Sequence, residues 1–223
     1  MKTHLIIKST LLLAILAGLS SMLLINTGCN VVTPIAYAIH GPGKVDPVYT
    51  LEKELKTVVF VDDPSSRVTQ RRLRYTIAKR TTDELLAKRI LVDMLDPRGI
   101  LTAASNERFG AQKSIAELGK SVGADIVIYA VVTDFSMSRE AGSYIPQAAL
   151  RVKVIDVATG ERLWPSDETG MVANIRAPQR TKSAAASTGE RLESEQTLAQ
   201  RTGLGLAQMF YKHEITETVL FGR

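Results

Sequence analysis

Cysteine and histidine are scarce in this 223-residue chain, and aromatic residues make up only 5% of it. The single cysteine, Cys29, has no second cysteine with which to form an intramolecular disulfide, so stability must come from an ordinary packed core. The three histidines, His4, His40 and His213, lie far apart along the chain and show no metal-ligand spacing. We therefore predict neither a metal site nor a cofactor.

Signals of enzymatic chemistry are weak. The chain has no phosphate-binding loop and no dinucleotide fingerprint. The best carboxylate pair is Asp62-Asp63, which follows an apolar run, and strand ends in open α/β sheets often meet ligands. A solvated turn before Pro64, or a charge pair at a helix amino terminus, explains the same residues more simply. We predict that the protein is not an enzyme.

An apolar leader precedes Cys29. The chain starts with basic residues, continues through an almost wholly apolar stretch at 11–25, and reaches the cysteine through small residues. This order is typical of a secretory signal. Residues 23–29 resemble a bacterial lipobox, in which signal peptidase II cuts before a diacylated cysteine, although Asn26 stands where an aliphatic residue is usual. We predict a signal peptide over 1–28 and lipid attachment at Cys29; an uncleaved helical anchor and ordinary secretion are the alternatives.

Acyl chains on Cys29 would hold the protein on a membrane surface. Asn30 follows the cysteine, whereas an aspartate there tends to hold proteobacterial lipoproteins at the inner membrane, so we predict the periplasmic face of the outer membrane. Without Lys2 and Lys8 the formal charge falls from +5 to +3. This modest basicity suits a surface near anionic lipid and does not demand nucleic acid.

The rest of the chain divides into a flexible tether at 29–56 and a single domain at 57–223, with a loose loop near 177–189. Hydrophobic patterning predicts strands at 58–61, 92–95, 124–135, 147–157, 162–164, 168–175 and 215–221, and helices at 65–91, 97–104, 114–123 and 189–213. Gly203 and Gly205 weaken the last helix.

The element order points to one fold class. Strands alternate with helices, and a hairpin and a final helix follow. This order predicts an α/β fold, with α+β as the alternative, in the form of a two-layer or three-layer sandwich. Its mixed sheet of about five strands would be covered by helices. The strand at 124–135 is apolar on both faces, which predicts a central position.

Two segments together, 117–132 and 151–164, carry a family resemblance. A Gly-Ala-Asp followed by a hydrophobic strand, and then an Asp-x-x-Thr-Gly turn before a tryptophan, resembles the periplasmic domains of the curli-secretion lipoprotein CsgG, the peptidoglycan-synthesis activator LpoB and the amino-terminal domain of TolB. The resemblance implies an envelope lipoprotein that binds proteins, and it does not imply a pore. The motif residues have structural roles in helix ends, turns and the core edge: Gly123, Asp125, Asp156, Gly160 and Trp164.

Arg67, Arg71 and Arg74 have the spacing of one helix face. The simplest interpretation is a solvated face; the sharper one is a surface for anionic lipid head groups or an acidic protein partner. Nucleic acid is not predicted, because the leader exports the chain and no aromatic residues interleave with the basic ones.

These observations favour a membrane-anchored, non-catalytic envelope lipoprotein that acts as a protein-interaction module in cell-envelope assembly or secretion. The partners are the membrane, through acylated Cys29, and envelope proteins whose identity the sequence does not supply; homo-oligomerisation is left open. One alternative is a carrier of lipid or another small ligand, which would need an apolar cavity. A second alternative is an envelope hydrolase that uses Asp62 or Asp63.

Overall fold

The computed structural model describes residues 43–106, 113–140, 143–176, 188–214 and 219–222. Nearly all of them belong to one compact unit, which begins at Val45; of the preceding unit only residues 43 and 44 are described. The strands are β1 (Lys44–Val45), β2 (Thr57–Asp62), β3 (Ile126–Glu140), β4 (Ser143–Asp156), β5 (Arg162–Trp164), β6 (Met171–Arg176), β7 (His213–Glu214) and β8 (Val219–Gly222). The helices are α1 (Arg71–Ala87), α2 (Pro97–Asn106), α3 (Ile115–Val122) and α4 (Thr188–Gln208).

The main sheet is mixed, and its strand order is β2-β3-β4-β6-β8, with β5 pairing with β4 beside this path. Strand β2 runs parallel to β3, whereas β3, β4, β6 and β8 are joined by antiparallel pairing. The predicted mixed sheet of about five strands covered by helices is confirmed. Strand β3 lies between β2 and β4, as predicted. Its sequence is apolar on both faces because its side chains alternate between two cores, with Ile128 in one and Val127 in the other.

The two faces of the sheet are covered to different extents. One face packs along its width against α1 and α4 through buried side chains such as Leu73, Ile77 and Leu206. The other face packs against α2 and α3 over β2 and β3, where Val58 and Phe60 lie in a second, smaller core. The domain therefore has three layers over β2 and β3 and two layers over β4 and β6.

Helices α1 and α4 make a close contact at Gly203. The Thr81 hydroxyl on α1 donates a hydrogen bond of 2.9 Å to the Gly203 carbonyl on α4. A Cβ atom at position 203 would lie 2.5 Å from the Ile77 carbonyl oxygen and 2.7 Å from the Arg80 Cβ. The glycine that weakens the helix pattern in the sequence thus permits the helices to approach.

Local sequence signals account for α2 and α3. Pro97 begins α2, where its missing N–H has no cost. Helix α3 carries a complete capping box: the Ser114 side chain accepts from the Glu117 N–H, and the Glu117 side chain accepts from the Ser114 N–H. Gly123 ends this helix in the left-handed conformation at φ 78°. These helices begin and end close to where the pattern predicts.

The predicted start of the first helix is wrong. Helix α1 begins at Arg71, because the Asp63 carboxylate accepts the N–H groups of Arg67 and Val68, both at 2.8 Å, and holds the preceding segment as a turn. Ser66 lies in this turn with a φ of 51°, a left-handed value that no helix contains.

The predicted strand at 92–95 is also wrong. This segment makes only an isolated parallel bridge, between Met94 and Thr57. The Val92 side chain is 52% exposed, and its N–H donates to the Lys53 carbonyl, so the segment runs along the β2 edge without forming a ladder.

The segment at 45–56, assigned to the tether by the sequence pattern, belongs to the compact unit. Leu51 is 7% exposed, and the Val48 N–H donates to the Met209 carbonyl at 2.9 Å. These contacts are made with residues that lie far away in sequence, which local patterning does not detect. The predicted leader, Cys29 and most of the loop near 177–189 lie outside the described residues; of the terminal strand, 219–222 form β8.

Candidate functional site

The paired carboxylates Asp62 and Asp63 lie at the carboxyl end of β2, as predicted, and they are engaged in structural hydrogen bonds. Asp62 accepts from the Asp63 N–H at 2.8 Å and from the Tyr129 hydroxyl at 2.9 Å. Asp63 accepts the N–H groups of Arg67 and Val68, one on each oxygen. Burial, together with the nearby Asp62 charge and the hydrogen bond, raises the pKa of Tyr129, so the phenol keeps its proton. All four carboxylate oxygens therefore already accept a hydrogen bond.

A cleft of about 360 Å³ opens beside these carboxylates, between the amino end of α1 and the carboxyl end of α2. Arg71 and Arg74 project from α1 into its lining. The Arg74 Nη1 lies 4.0 Å from the Asp62 Oδ1, which is too long for a hydrogen bond, and within the described ranges Arg71 has no ion-pair partner. The cleft is lined by Asp62, Asp63, Ser66, Val68, Thr69, Arg71, Arg74, Ala104 and Ser105.

The structure separates the three arginines that the sequence places on one helix face. Arg71 and Arg74 lie on α1, one turn apart, and both line the cleft. Arg67 lies in the turn before the helix, so the prediction of a shared helix face is wrong for this residue. The Arg67 backbone N–H donates a hydrogen bond to the Asp63 carboxylate, and Arg67 is not part of the cleft lining.

Glu195 supports one wall of the cleft, and sequence analysis does not identify it. Its side chain on α4 is 4% exposed and accepts from the Thr69 hydroxyl at 2.7 Å and from the Gln70 amide at 3.2 Å. Arg191, one turn earlier on α4, donates to the same carboxylate at 3.1 Å. The spacing of Arg191 and Glu195 is visible in the sequence, but the contact with residues about 125 positions away depends on the fold.

The Gly-Ala-Asp motif residues join strand ends. Gly123 ends α3, and the Asp125 carboxylate then accepts the Lys56 N–H at 2.9 Å. The Asp125 N–H donates to the Lys56 carbonyl, and its carbonyl accepts from Val157. The motif therefore connects the beginnings of β2 and β3 to the end of β4, which is a structural role.

The Asp-x-x-Thr-Gly motif forms the turn between β4 and β5. Asp156 accepts from the Thr159 N–H at 2.7 Å and from its hydroxyl at 3.0 Å, and these bonds lower the pKa of the Asp156 carboxyl. Gly160 takes a φ of 75° in this turn. Trp164 packs against Phe210, with ring centroids 6.4 Å apart, and so covers the core edge.

The sequence also contains one Gly-x-Ser-x-Gly pattern, at 119–123. In hydrolases this pattern forms a sharp turn between a strand and a helix. Here it lies in α3 and its carboxyl end, and the Ser121 hydroxyl donates to the Leu118 carbonyl at 2.7 Å. Gly119 faces the Val127 and Val157 side chains, where a Cβ would lie less than 3 Å from their methyl groups. The pattern serves helix packing.

The face of the sheet over β4 and β6 is not covered by any helix in the part of the chain that the structure describes. Pairing places Arg151 between Val131 and Val172, and the exposed side chains continue along β6 as Asn174 and Arg176. Lys153, next to Arg151 on the same face of β4, is half-buried. The Asp134 carboxylate accepts from Ser136 and Gln147. Hydrogen bonds from Thr169, together with the charges of Arg162 and Arg151, lower the pKa of the Asp167 carboxyl, so this carboxylate lies near Arg151. We call this surface, whose exposed charged residues on β4 and β6 are Arg151 and Arg176, the open sheet face.

Within the described ranges, no group of three or more histidine, cysteine, aspartate or glutamate residues is arranged to hold a metal ion. His213 lies after α4, and His4 and His40 lie outside those ranges. No described helix has the length and apolar character needed to cross a bilayer.

No protein-family model matches the chain. A search of curated proteins also returns no relative. Solved structures do match. A PelC dodecamer from Paraburkholderia phytofirmans is 14% identical, with coverage of 76% of this chain and 96% of that one and a TM-score of 0.42. Lipoprotein GNA1162 from Neisseria meningitidis is 16% identical, with coverages of 64% and 91% and a TM-score of 0.39.

The LpoB C-terminal domain from Salmonella enterica is 19% identical, with coverage of 59% of this chain and 86% of that domain and a TM-score of 0.31. LpoB is one of the proteins that the two sequence motifs resemble. Of these three structures, GNA1162 is named a lipoprotein. These values do not show the family to which the chain belongs, and a CsgG-like identity stays a prediction.

Proposed function

We propose that the protein is a non-catalytic lipoprotein of the bacterial cell envelope, anchored through an acylated Cys29. In this proposal it faces the periplasm from the outer membrane and acts as a protein-interaction module in envelope assembly or secretion. The leader and the position of its cysteine support the anchor.

The open sheet face carries the proposal of protein binding. Where no described helix covers the sheet, its surface is broad, which suits a protein partner better than a small substrate. Its exposed charges are basic, with Arg151 and Arg176 at the surface and Lys153 beside them. We infer that the partner presents an acidic surface, because opposite charges steer association and fix orientation.

The geometry at the end of β2 supports a non-catalytic role over the hydrolase alternative. A general base needs an oxygen within hydrogen-bond reach of a substrate proton. At Asp62 and Asp63 each oxygen already accepts a bond from the backbone or from Tyr129, and hydrogen bonds to a carboxylate favour its charged form, which makes it a weaker base. The carrier alternative would need an apolar cavity, whereas the cleft beside these residues has mostly polar side chains in its lining.

Charge reversal on the open sheet face tests the interaction. We expect Arg151→Glu combined with Lys153→Glu to abolish crosslinking in cells to a partner that co-purifies with the wild-type chain. The matched control reverses two lysines away from this face, Lys53 and Lys56, both exposed. Circular dichroism of each purified variant checks that the fold is kept. Recovery of only free monomer from wild-type cells, or an equal loss in the control, would contradict the proposal.

Acyl labelling tests the anchor. Cells that express the wild-type chain should incorporate a fatty-acid probe into it, and Cys29→Ala should remove that label and release the chain from the membrane fraction. A wild-type product found in the cytosol with residues 1–28 intact would overturn the proposed location.

A further inference from the structure

We propose that the cleft at the end of β2 binds a phosphate group, held by the guanidinium groups of Arg71 and Arg74. This inference goes beyond the proposed function and does not depend on it, because the cleft and the open sheet face are formed by different residues. The phosphate group could belong to a soluble phosphate ester or to a phospholipid head group, and the experiment below distinguishes the two.

The supply of hydrogen-bond donors is the first argument. Each guanidinium offers five N–H donors in a rigid fork that matches phosphate oxygens. Arg71 has no ion-pair partner in the described part of the chain, and Arg74 approaches Asp62 only to 4.0 Å. A spacing of three residues places the two side chains on one helix face. Their mutual repulsion would be relieved by an anion bound between them.

The carboxylates in the same lining do not favour a cation instead. Both oxygens of Asp63 accept backbone N–H groups, and both oxygens of Asp62 accept hydrogen bonds from Asp63 and Tyr129. A metal ion would have to share these oxygens with hydrogen bonds already formed, whereas an anion can use donors that are already available. The Asp62 carboxylate would compete with a bound phosphate for the Arg74 guanidinium. Removing the charge of Asp62 should therefore increase the affinity for phosphate.

Two further features suit a phosphate. The cleft lies at the amino end of the 17-residue helix α1, which has no side-chain cap and no acidic residue in its first turn, so the helix dipole adds to the arginine charges. Its volume of about 360 Å³ is at the small end of ligand sites and accommodates a phosphate with a short substituent. A phosphate also offers three acceptor oxygens, one more than a carboxylate.

Calorimetric titration of the purified full chain in neutral detergent tests the inference with inorganic phosphate at constant ionic strength. We expect saturable binding by the wild type. Arg71→Gln and Arg74→Gln should each weaken it by about tenfold or more, because each removes charge-assisted hydrogen bonds. The matched control Arg72→Gln, from a neighbouring residue outside the cleft lining, should change the Kd less than twofold. Asp62→Asn should tighten binding.

The gain expected for Asp62→Asn keeps the test meaningful even if an arginine variant is less stable. The same titrations with glycerol phosphate, and with phosphatidylglycerol added to the micelles, identify the source. If Arg71→Gln and Arg74→Gln weaken the binding of glycerol phosphate, the natural ligand is a soluble ester. If they weaken only the binding of phosphatidylglycerol, the ligand is a phospholipid head group. Absence of saturable binding in every arm would overturn the inference, and so would an equal loss in Arg72→Gln, because that result would indicate only diffuse charge attraction.

Discussion

Replacing Gly203 with alanine tests the contact between α1 and α4. The added Cβ would lie 2.5 Å from the Ile77 carbonyl oxygen and 2.7 Å from the Arg80 Cβ, whereas ordinary contacts begin near 3.4 Å. The carbonyl oxygen is a backbone atom within α1, so no side-chain rotation removes the collision. The helices must therefore separate locally by about 1 Å, in a region where interiors are closely packed.

The magnitude follows from three contributions. Overpacking of a close contact costs about 1–3 kcal/mol. Separation of the helices also lengthens the bond from the Thr81 hydroxyl to the Gly203 carbonyl, which is 2.9 Å in the structure and contributes about 1 kcal/mol. The higher helix propensity of alanine stabilises the folded state by about 1 kcal/mol. The expected net loss is about 2 kcal/mol, or a fall of about 4–8 °C in Tm for a unit of this size.

Urea unfolding followed by circular dichroism measures the change. The matched control is Gly189→Ala, because Gly189 lies on the same helix in an exposed position and should be neutral or stabilising by up to about 1 kcal/mol. A Gly203→Ala variant as stable as the wild type would refute the argument that this glycine permits the helix approach.

Three further predictions concern local hydrogen bonds. Ser114→Ala removes the capping box of α3 and should cost about 1 kcal/mol in the same urea assay, with no loss contradicting the cap. Asp156 has a lowered pKa, chiefly through its bond from the Thr159 N–H, so its contribution is present above the ordinary pKa of 3.8 and is lost as pH falls through the lower, folded value. The stability difference between the wild type and Asp156→Asn should therefore shrink between pH 7 and pH 2.5; a difference independent of pH would contradict this. Tyr129→Phe removes the hydroxyl bond to Asp62 and should cost about 1 kcal/mol by thermal unfolding, whereas an unchanged Tm would show that this bond adds nothing.

Features set by contacts within a few residues were predictable from the sequence. The capping box at Ser114, the helix end at Gly123 and the turn at Gly160 each depend on neighbours within four positions, and the structure places all three as expected. Strand β3 was also predictable as central, because only a strand buried on both faces favours apolar residues at every position.

Most features that the sequence did not predict depend on distant contacts. The start of α1 at Arg71 is an exception, because the Asp63 carboxylate accepts N–H groups only four and five residues later, a local contact that apolar patterning does not show. Glu195 supports a wall of the cleft through Thr69 because α4 packs beside α1, and Gly203 is favourable for the same reason. Among the described helices, α2 and α3 cover only part of this side of the sheet and leave the open sheet face, which no single segment encodes.

Residue order alone was sufficient for the types of most helices and strands, the mixed sheet and the prediction of a lipid anchor at Cys29, because each depends on local pattern and composition. Three-dimensional packing decided which polar groups face one another. It places Asp62 and Asp63 in structural hydrogen bonds and directs Arg71 and Arg74 into a cleft. It also leaves Arg151 exposed on the open sheet face. The physical reason is that hydrogen bonds and ion pairs depend on distances between atoms, and the chain sets those distances only when its helices and strands pack together.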